Sequence, residues 1–199
     1  MIPRLLVATR NPDKLREIQD KLRDLPLHVM SLADFPFVED VVEDQPDLVG
    51  NAIKKATEVG LATGLPTLAD DTGLEVAALN GAPGVLSARY SGPGATYASN
   101  CQKLLAELTG ISDDRRRARF RTVMCLQAEE ESHCVEGVLE GRIGHEPRGT
   151  NGFGYDPIFV LPDGRTLAEL ELSEKNQISH RAQALDKMAR LLTGLYSIP

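Results

Sequence analysis

Leu65-Pro66-Thr67-Leu68-Ala69-Asp70-Asp71-Thr72-Gly73 decides how this chain is read, because it sets two carboxylates against an apolar run. Leu65 to Ala69 reads as a buried strand. Asp70 and Asp71 follow at its end, and Thr72 and Gly73 turn the chain. Open α/β sheets bind ligands just beyond the carboxyl ends of their strands, so chemistry belongs at this position. Adjacent like charges cost stability unless a cation or hydrogen-bond donors share them. The same residues equally suit an ordinary turn capped by the two aspartates. Alone, the stretch favours neither reading.

Working outward from it, the upstream chain alternates strand and helix. Leu5-Leu6-Val7-Ala8 reads as a buried strand that breaks at Thr9-Arg10-Asn11-Pro12-Asp13-Lys14. Asn11 is a good N-cap and Pro12 suits the first helical position. Leu15, Ile18, Leu22 and Leu25 then repeat at helical spacing up to Pro26. The free N–H groups at such a helix start suit an anion. Neither of the common glycine-rich nucleotide loops is present. Leu27 to Met30 reads as a second strand, and Glu39 to Asp44 as an acidic segment. Leu48 to Thr63 forms one helical face capped by Asp47, with Lys55 among the apolar positions.

Downstream, Leu74 to Leu79 reads as continued strand, and Thr96 to Leu108 as a helix stopped by Gly110. Phe120–Leu126 and His133–Ile143 form the clearest hairpin, turning at Glu129 to Ser132. Arg115, Arg116, Arg117 and Arg119 make the one basic cluster. Without interleaved aromatics it reads as a solvated strand end or an oligomer contact. Gly149-Thr150-Asn151-Gly152-Phe153-Gly154-Tyr155-Asp156-Pro157 reads as a binding loop, with glycines for close approach and two rings for stacking. Thr166 to Leu172 suits a short helix. The last helix carries Leu185, Met188, Ala189 and Leu192 on one face. His180 and Arg181 fall at its N-terminus, where the helix dipole disfavours a cation, so an anionic or polar partner is expected nearby. The fold class is α/β around a mixed sheet, as a single domain over residues 1–199.

The chain has 199 residues, 42% of them hydrophobic and 26% charged, which matches globular averages and argues against disorder. A net charge of −7 opposes a grip on long nucleic acid, though not on one small anion. Cys101, Cys125 and Cys134 lack CxxC spacing and read as reduced cysteines of a cytoplasmic protein. No leader or membrane-spanning run is expected.

Four blocks carry a family resemblance: Ala69-Asp70-Asp71-Thr72-Gly73-Leu74, Gly81-Ala82-Pro83-Gly84 with Ser87-Ala88-Arg89-Tyr90, Gly152-Phe153-Gly154-Tyr155-Asp156-Pro157, and Ile178-Ser179-His180-Arg181. In this order, over about Leu5 to Leu192, the chain resembles the dITP/XTP (inosine triphosphate) pyrophosphatases. The resemblance implies a long mixed sheet with flanking helices in two lobes and a cleft between them, in a homodimer. It departs in three places. The family's Thr-Gly-Asn-x-Gly-Lys loop is here Thr9-Arg10-Asn11-Pro12-Asp13-Lys14. Gly50 stands where many members have Glu, and Thr72 where many have Ser.

The activity so implied is Mg²⁺-dependent hydrolysis of ITP, dITP, XTP or dXTP to monophosphate and pyrophosphate, clearing deaminated purine nucleotides. Glu43 and Asp71 are the expected Mg²⁺ carboxylates, with Asp70 beside them. Asp71 also orients or deprotonates the attacking water. Lys14, Lys55 and Lys175 neutralise phosphate oxygens, with Thr9, Asn11, Thr72 and the rest of the first loop (Arg10, Pro12, Asp13). Phe153 stacks on the base, Gly154, Tyr155 and Asp156 shape its pocket, and His180 and Arg181 donate to the 6-oxo group. Two other readings remain: a different triphosphate specificity on the same chemistry, and a nucleotide sensor that no longer hydrolyses.

Overall fold

The computed structural model describes residues 2–196. Seven strands form one mixed sheet: β1 (Arg4–Val7), β2 (His28–Ser31), β3 (Thr67–Val76), β4 (Pro83–Gly84), β5 (Arg117–Ala128), β6 (Glu131–Ile143) and β7 (Phe159–Val160). Their order is β2-β1-β3-β5-β6-β7, with β4 also on β3. β1 runs parallel to β2 and β3, whereas β4 on β3 and β7 on β6 are antiparallel. Five helices complete the α/β fold: α1 (Pro12–Leu22), α2 (Leu48–Thr63), α3 (Tyr97–Glu107), α4 (Leu172–Ile178) and α5 (His180–Leu195).

Local chemistry sets most of these boundaries. Asn11 caps α1 by accepting the N–H groups of Asp13 and Lys14, and Pro12 opens the helix. α2 begins on Asp47, which accepts from Gly50 N–H at 2.8 Å, and ends on Gly64 at φ +68°. Thr96 caps α3 in a reciprocal box with Ser99. α4 is a seven-residue helix that the sequence pattern does not reveal, since it lacks a full apolar stripe. Ala77–Leu79 is a single 3₁₀ turn rather than continued strand, and Leu167–Glu169 is another.

The chain divides into two compact units. The first comprises the residues up to Asp71, Thr122–Gly137 and those from Arg181 on. The second comprises Thr72–Arg121 and Val138–His180. In the first, α1 and α5 pack Ile18, Leu22, Leu185 and Met188 against Leu5, Val7 and Leu68. A second cluster there joins Leu6, Ala8, Ala56, Val59 and Ala69. The second unit packs Leu104 of α3 and Leu108 just beyond it with Leu74, Phe120, Phe159 and Leu167. Each such side chain contributes about 1.5–3 kcal/mol by leaving water. Among the described residues, no helix is long and apolar enough to cross a membrane.

Three expectations are corrected here. β3 does not end before the aspartates. It continues through Asp70, Asp71, Thr72 and Gly73 to Val76, pairing onward with β4, so no turn forms there. Arg116 is not solvated: its guanidinium is buried and donates to the carbonyls of Ile143 (2.8 Å), Leu108 (2.8 Å) and Gly144 (2.5 Å). It satisfies backbone acceptors that the helix end and strand end leave over. Cys125 and Cys134 are not both free thiols but form a disulfide, with Cα atoms 4.1 Å apart. The two-residue turn Glu129-Glu130 places them directly opposite across the hairpin, a pairing that their nine-residue spacing does not display.

Candidate active site

The first unit gathers the acidic and cationic groups. Successive strand residues face opposite sides, so neighbouring Asp70 and Asp71 acquire different partners. Asp70 is buried and meets Lys14 Nζ at 3.0 Å and Arg181 at 3.5 Å. Burial alone would raise its pKa. The charges of Lys14, Arg181 and Lys55 more than offset this and hold the carboxyl well below the usual carboxylate range. Asp71 accepts from Asn51 Nδ2 at 2.9 Å. Burial and then the negative charge of Glu43 push its pKa up, against the pull of Lys55 and Asn51. Glu43 is ion-paired with Lys55, whose Nζ also donates to the Asp70 carbonyl at 2.9 Å. Burial works against the Lys55 charge, yet Asp70 and Glu43 leave its pKa raised, so it stays protonated.

The second unit gathers the groups expected at a base. Asp156 is buried, and its Oδ2 accepts from Phe153 N–H (2.9 Å) and Lys175 Nζ (2.8 Å). Gly152, at φ +73°, leaves room for that carboxylate, since a Cβ there would lie 2.1 Å from Asp156 Oδ2. Lys175 Nζ also sits 4.6 Å from the centre of the Phe153 ring, within cation–π range. The Tyr97 ring packs 5.8 Å from the same ring, tilted by 39°. His180 stacks on Phe120 at 4.5 Å and 16°.

The Ham1 family model matches residues 5–191. This chain belongs to the Ham1 family. It is similar to the dITP/XTP pyrophosphatase of Coxiella burnetii, at 46% identity over 98% of each chain. It is also similar to that of Desulfotalea psychrophila, at 48% identity over 93% of this chain and 83% of the other. The structure of a HAM1 protein from Coxiella burnetii superposes with a TM-score of 0.89, covering 96% of this chain and 99% of that one.

Within this Ham1 chain, several residues read from the sequence as ligand contacts have partners of their own. Arg10 reaches Asp40 at 2.6 Å and also donates to the Val38 carbonyl, so it braces the acidic segment. Asp13 turns back to Arg16 at 2.5 Å, and Pro12 offers no donor. The N–H groups of Asp13 and Lys14, expected to face an anion, are accepted by Asn11 Oδ1 at 2.9 and 3.3 Å, while Thr9 Oγ1 accepts from Asn11 N–H. Thr72 lies half-buried on β3 rather than in a turn.

Later in the chain, Tyr155 offers no face for stacking: its ring is buried in the core and its hydroxyl donates to the Ser87 carbonyl at 2.8 Å. Gly154 stays open on its Cβ side, whereas the space at Gly149 is taken by the Ala168 carbonyl. Lys175 is committed to Asp156 and Phe153 in the second unit. Arg181 is fully buried against Glu17 (2.6 Å) and Asp70, which are the anionic partners its helix position calls for.

Asn51, Glu17 and Tyr97 were not singled out in the sequence. Asn51 is a buried amide in the first turn of α2, and Glu17 a buried carboxylate on the apolar side of α1. The available signal for Glu17 was its place next to Ile18 on that face. Asn51 and Tyr97 had none, because their partners lie 20 and 56 residues away in sequence.

Proposed function

We propose that this chain hydrolyses non-standard purine nucleoside triphosphates (ITP or dITP, XTP or dXTP) to the monophosphate and pyrophosphate, the residues 1–199 acting as one domain. The relatives named for that activity support the reading. The observation that carries it is the Glu43–Lys55–Asp71 group: two carboxylates close enough for one charge to raise the other's pKa, with the Lys55 ammonium ion-paired to Glu43 and acting on Asp71 through its charge. That repulsion is what a divalent cation relieves, and hard carboxylate oxygens suit Mg²⁺. Glu43 and Asp71 would hold it, where it neutralises charge on the triphosphate. Asp70, already neutralised by Lys14 and Arg181, is left to position those cations.

Asp71, with its raised proton affinity and its Asn51 hydrogen bond, orients and deprotonates water for attack on the α-phosphorus. Lys14 and Lys55 balance the negative charge that leaves with pyrophosphate. Phe153 stacks on the purine, in a loop whose backbone Asp156 and Lys175 hold. His180, on Phe120, contributes a donor for a 6-oxo group, where adenine would leave it unsatisfied. A homodimer is part of the same reading, whereas the Cys125–Cys134 disulfide removes the cysteine argument for the cytoplasm. The test is a panel of triphosphates with Mg²⁺ and with chelator, scored for pyrophosphate and for phosphate. ITP and XTP should release pyrophosphate only with the metal, and Asp71→Asn should abolish release while keeping the fold. Equal turnover of ATP and GTP, or release of phosphate, overturns the reading.

A further inference from the structure

The face of α3 that meets the Phe153 loop is not accounted for by packing alone. Tyr97 and Cys101 lie one helical turn apart, so their side chains project side by side. Tyr97 packs on the Phe153 ring at 5.8 Å, and Cys101 Sγ donates to the Gly154 carbonyl at 3.3 Å. One helix therefore touches both the ring and the backbone of the same loop. Tyr97 is nevertheless 46% exposed, unlike the core residue Leu104 on that helix. An aromatic half open to water, seated on another aromatic, is how ring surface is kept available for a flat ligand.

α3 is firmly placed for this. Its cap box with Ser99 fixes the first turn, in which Tyr97 is the first residue. Asn100 is buried and donates to the carbonyls of Ser87 (3.3 Å) and Ala88 (3.1 Å), while its Oδ1 accepts from Ser91 N–H at 2.8 Å. The Phe153 backbone is held independently through Asp156. The backbone contacts leave the ring to rotate; Lys175 Nζ lies 4.6 Å from its centre, and Tyr97 adds a second ring packed against it that controls its orientation.

We propose that Tyr97 is a positioning residue for nucleobase binding, holding the Phe153 ring in its stacking orientation from the face of α3. This rests on the reading of Phe153 as the base-stacking residue. Ring pre-orientation acts on ground-state and transition-state binding alike, so it sets KM rather than kcat.

The experiment measures pyrophosphate release from ITP for Tyr97→Ala, Tyr97→Phe, Phe153→Ala and the Tyr97→Ala/Phe153→Ala double variant, with thermal melts to confirm folding. Tyr97→Ala should raise KM about three- to tenfold, the range of one aromatic contact. Its kcat should change less than about twofold. Tyr97→Phe, which keeps the ring, should restore the low KM. In the Phe153→Ala background, Tyr97→Ala should add nothing. An unchanged KM in Tyr97→Ala beside a raised KM in Phe153→Ala overturns the role of Tyr97 alone. A Tyr97→Ala effect that persists in full without Phe153 does the same. An unchanged KM in Phe153→Ala instead overturns the base-stacking reading beneath it. Should Tyr97→Ala melt early, Tyr97→Leu retains apolar bulk without a ring and must show the same KM rise.

Discussion

Asn51 Nδ2 donates to Asp71 Oδ2 over 2.9 Å, with both side chains buried. The same amide accepts from Gln45 N–H at 3.0 Å, so one side chain joins the end of the acidic segment to the middle of β3. Asn51→Ala should therefore lower kcat for pyrophosphate release by about tenfold, the cost of one lost buried hydrogen bond to a charged group. KM should move less. Steady-state kinetics on ITP check this, and an unaltered kcat removes Asn51 from the orientation of Asp71.

Asp70 makes a pH-dependent contribution to stability with a definite sign. Its native pKa lies below the ordinary 3.8, because Lys14 and Arg181 outweigh its burial. A depressed carboxylate contributes fully above its unfolded value, and that contribution is lost as pH falls below it toward the native value. Asp70→Asn should thus be less stable than the parent near pH 7 and pH 5 by about the same margin, with the gap closing below about pH 4. Urea titrations across that range measure it. A gap that widens in acid contradicts the assignment.

Glu17 and Arg181 form a buried pair at 2.6 Å between α1 and α5. Glu17→Gln removes the charge nearest the guanidinium and keeps that of Asp70, at 3.5 Å. Removing one partner of a buried pair costs about 3–5 kcal/mol, and the retained Asp70 contact puts the loss at the lower end. A chemical-denaturation midpoint that does not shift would show that Asp70 suffices.

Arg10 holds Asp40 and the Val38 carbonyl, and the segment from Val38 leads directly to Glu43. Arg10→Gly should loosen that segment and make Glu43 less well placed for a cation. The expected outcome is an increase of about threefold to tenfold in the Mg²⁺ concentration needed for half-maximal rate, on the scale of one charge-assisted hydrogen bond. Global stability should change little, because the Arg10–Asp40 pair is solvent-exposed. Metal titrations of both proteins make the comparison.

Legibility in the sequence followed the range of the interaction. The boundaries of α2 could be read directly, because Asp47 and Gly64 act on residues within one turn of themselves. The β5–β6 hairpin was equally plain, as adjacent apolar runs around a short polar turn. The strand through Asp70 and Asp71 is longer than its residue types suggest. Two charges and a glycine are poor strand formers, and only cations brought from α1, α2 and α5 make them tolerable inside a sheet.

The amino-acid order by itself determined the α/β class, the capped helices, the family blocks and the supply of chemically able groups: carboxylates, lysines and a glycine-bounded aromatic loop. Tertiary structure alone decided which of them meet. It separated Asp70 from Asp71, giving one to Lys14 and Arg181 and the other to Asn51 near Glu43. It paired Arg181 with Glu17 and Asp70, and set Tyr97 on Phe153. The reason is physical: periodicity and capping are properties of neighbouring residues, whereas the pairing of buried charges and rings is settled by burial, which joins groups from remote parts of the chain.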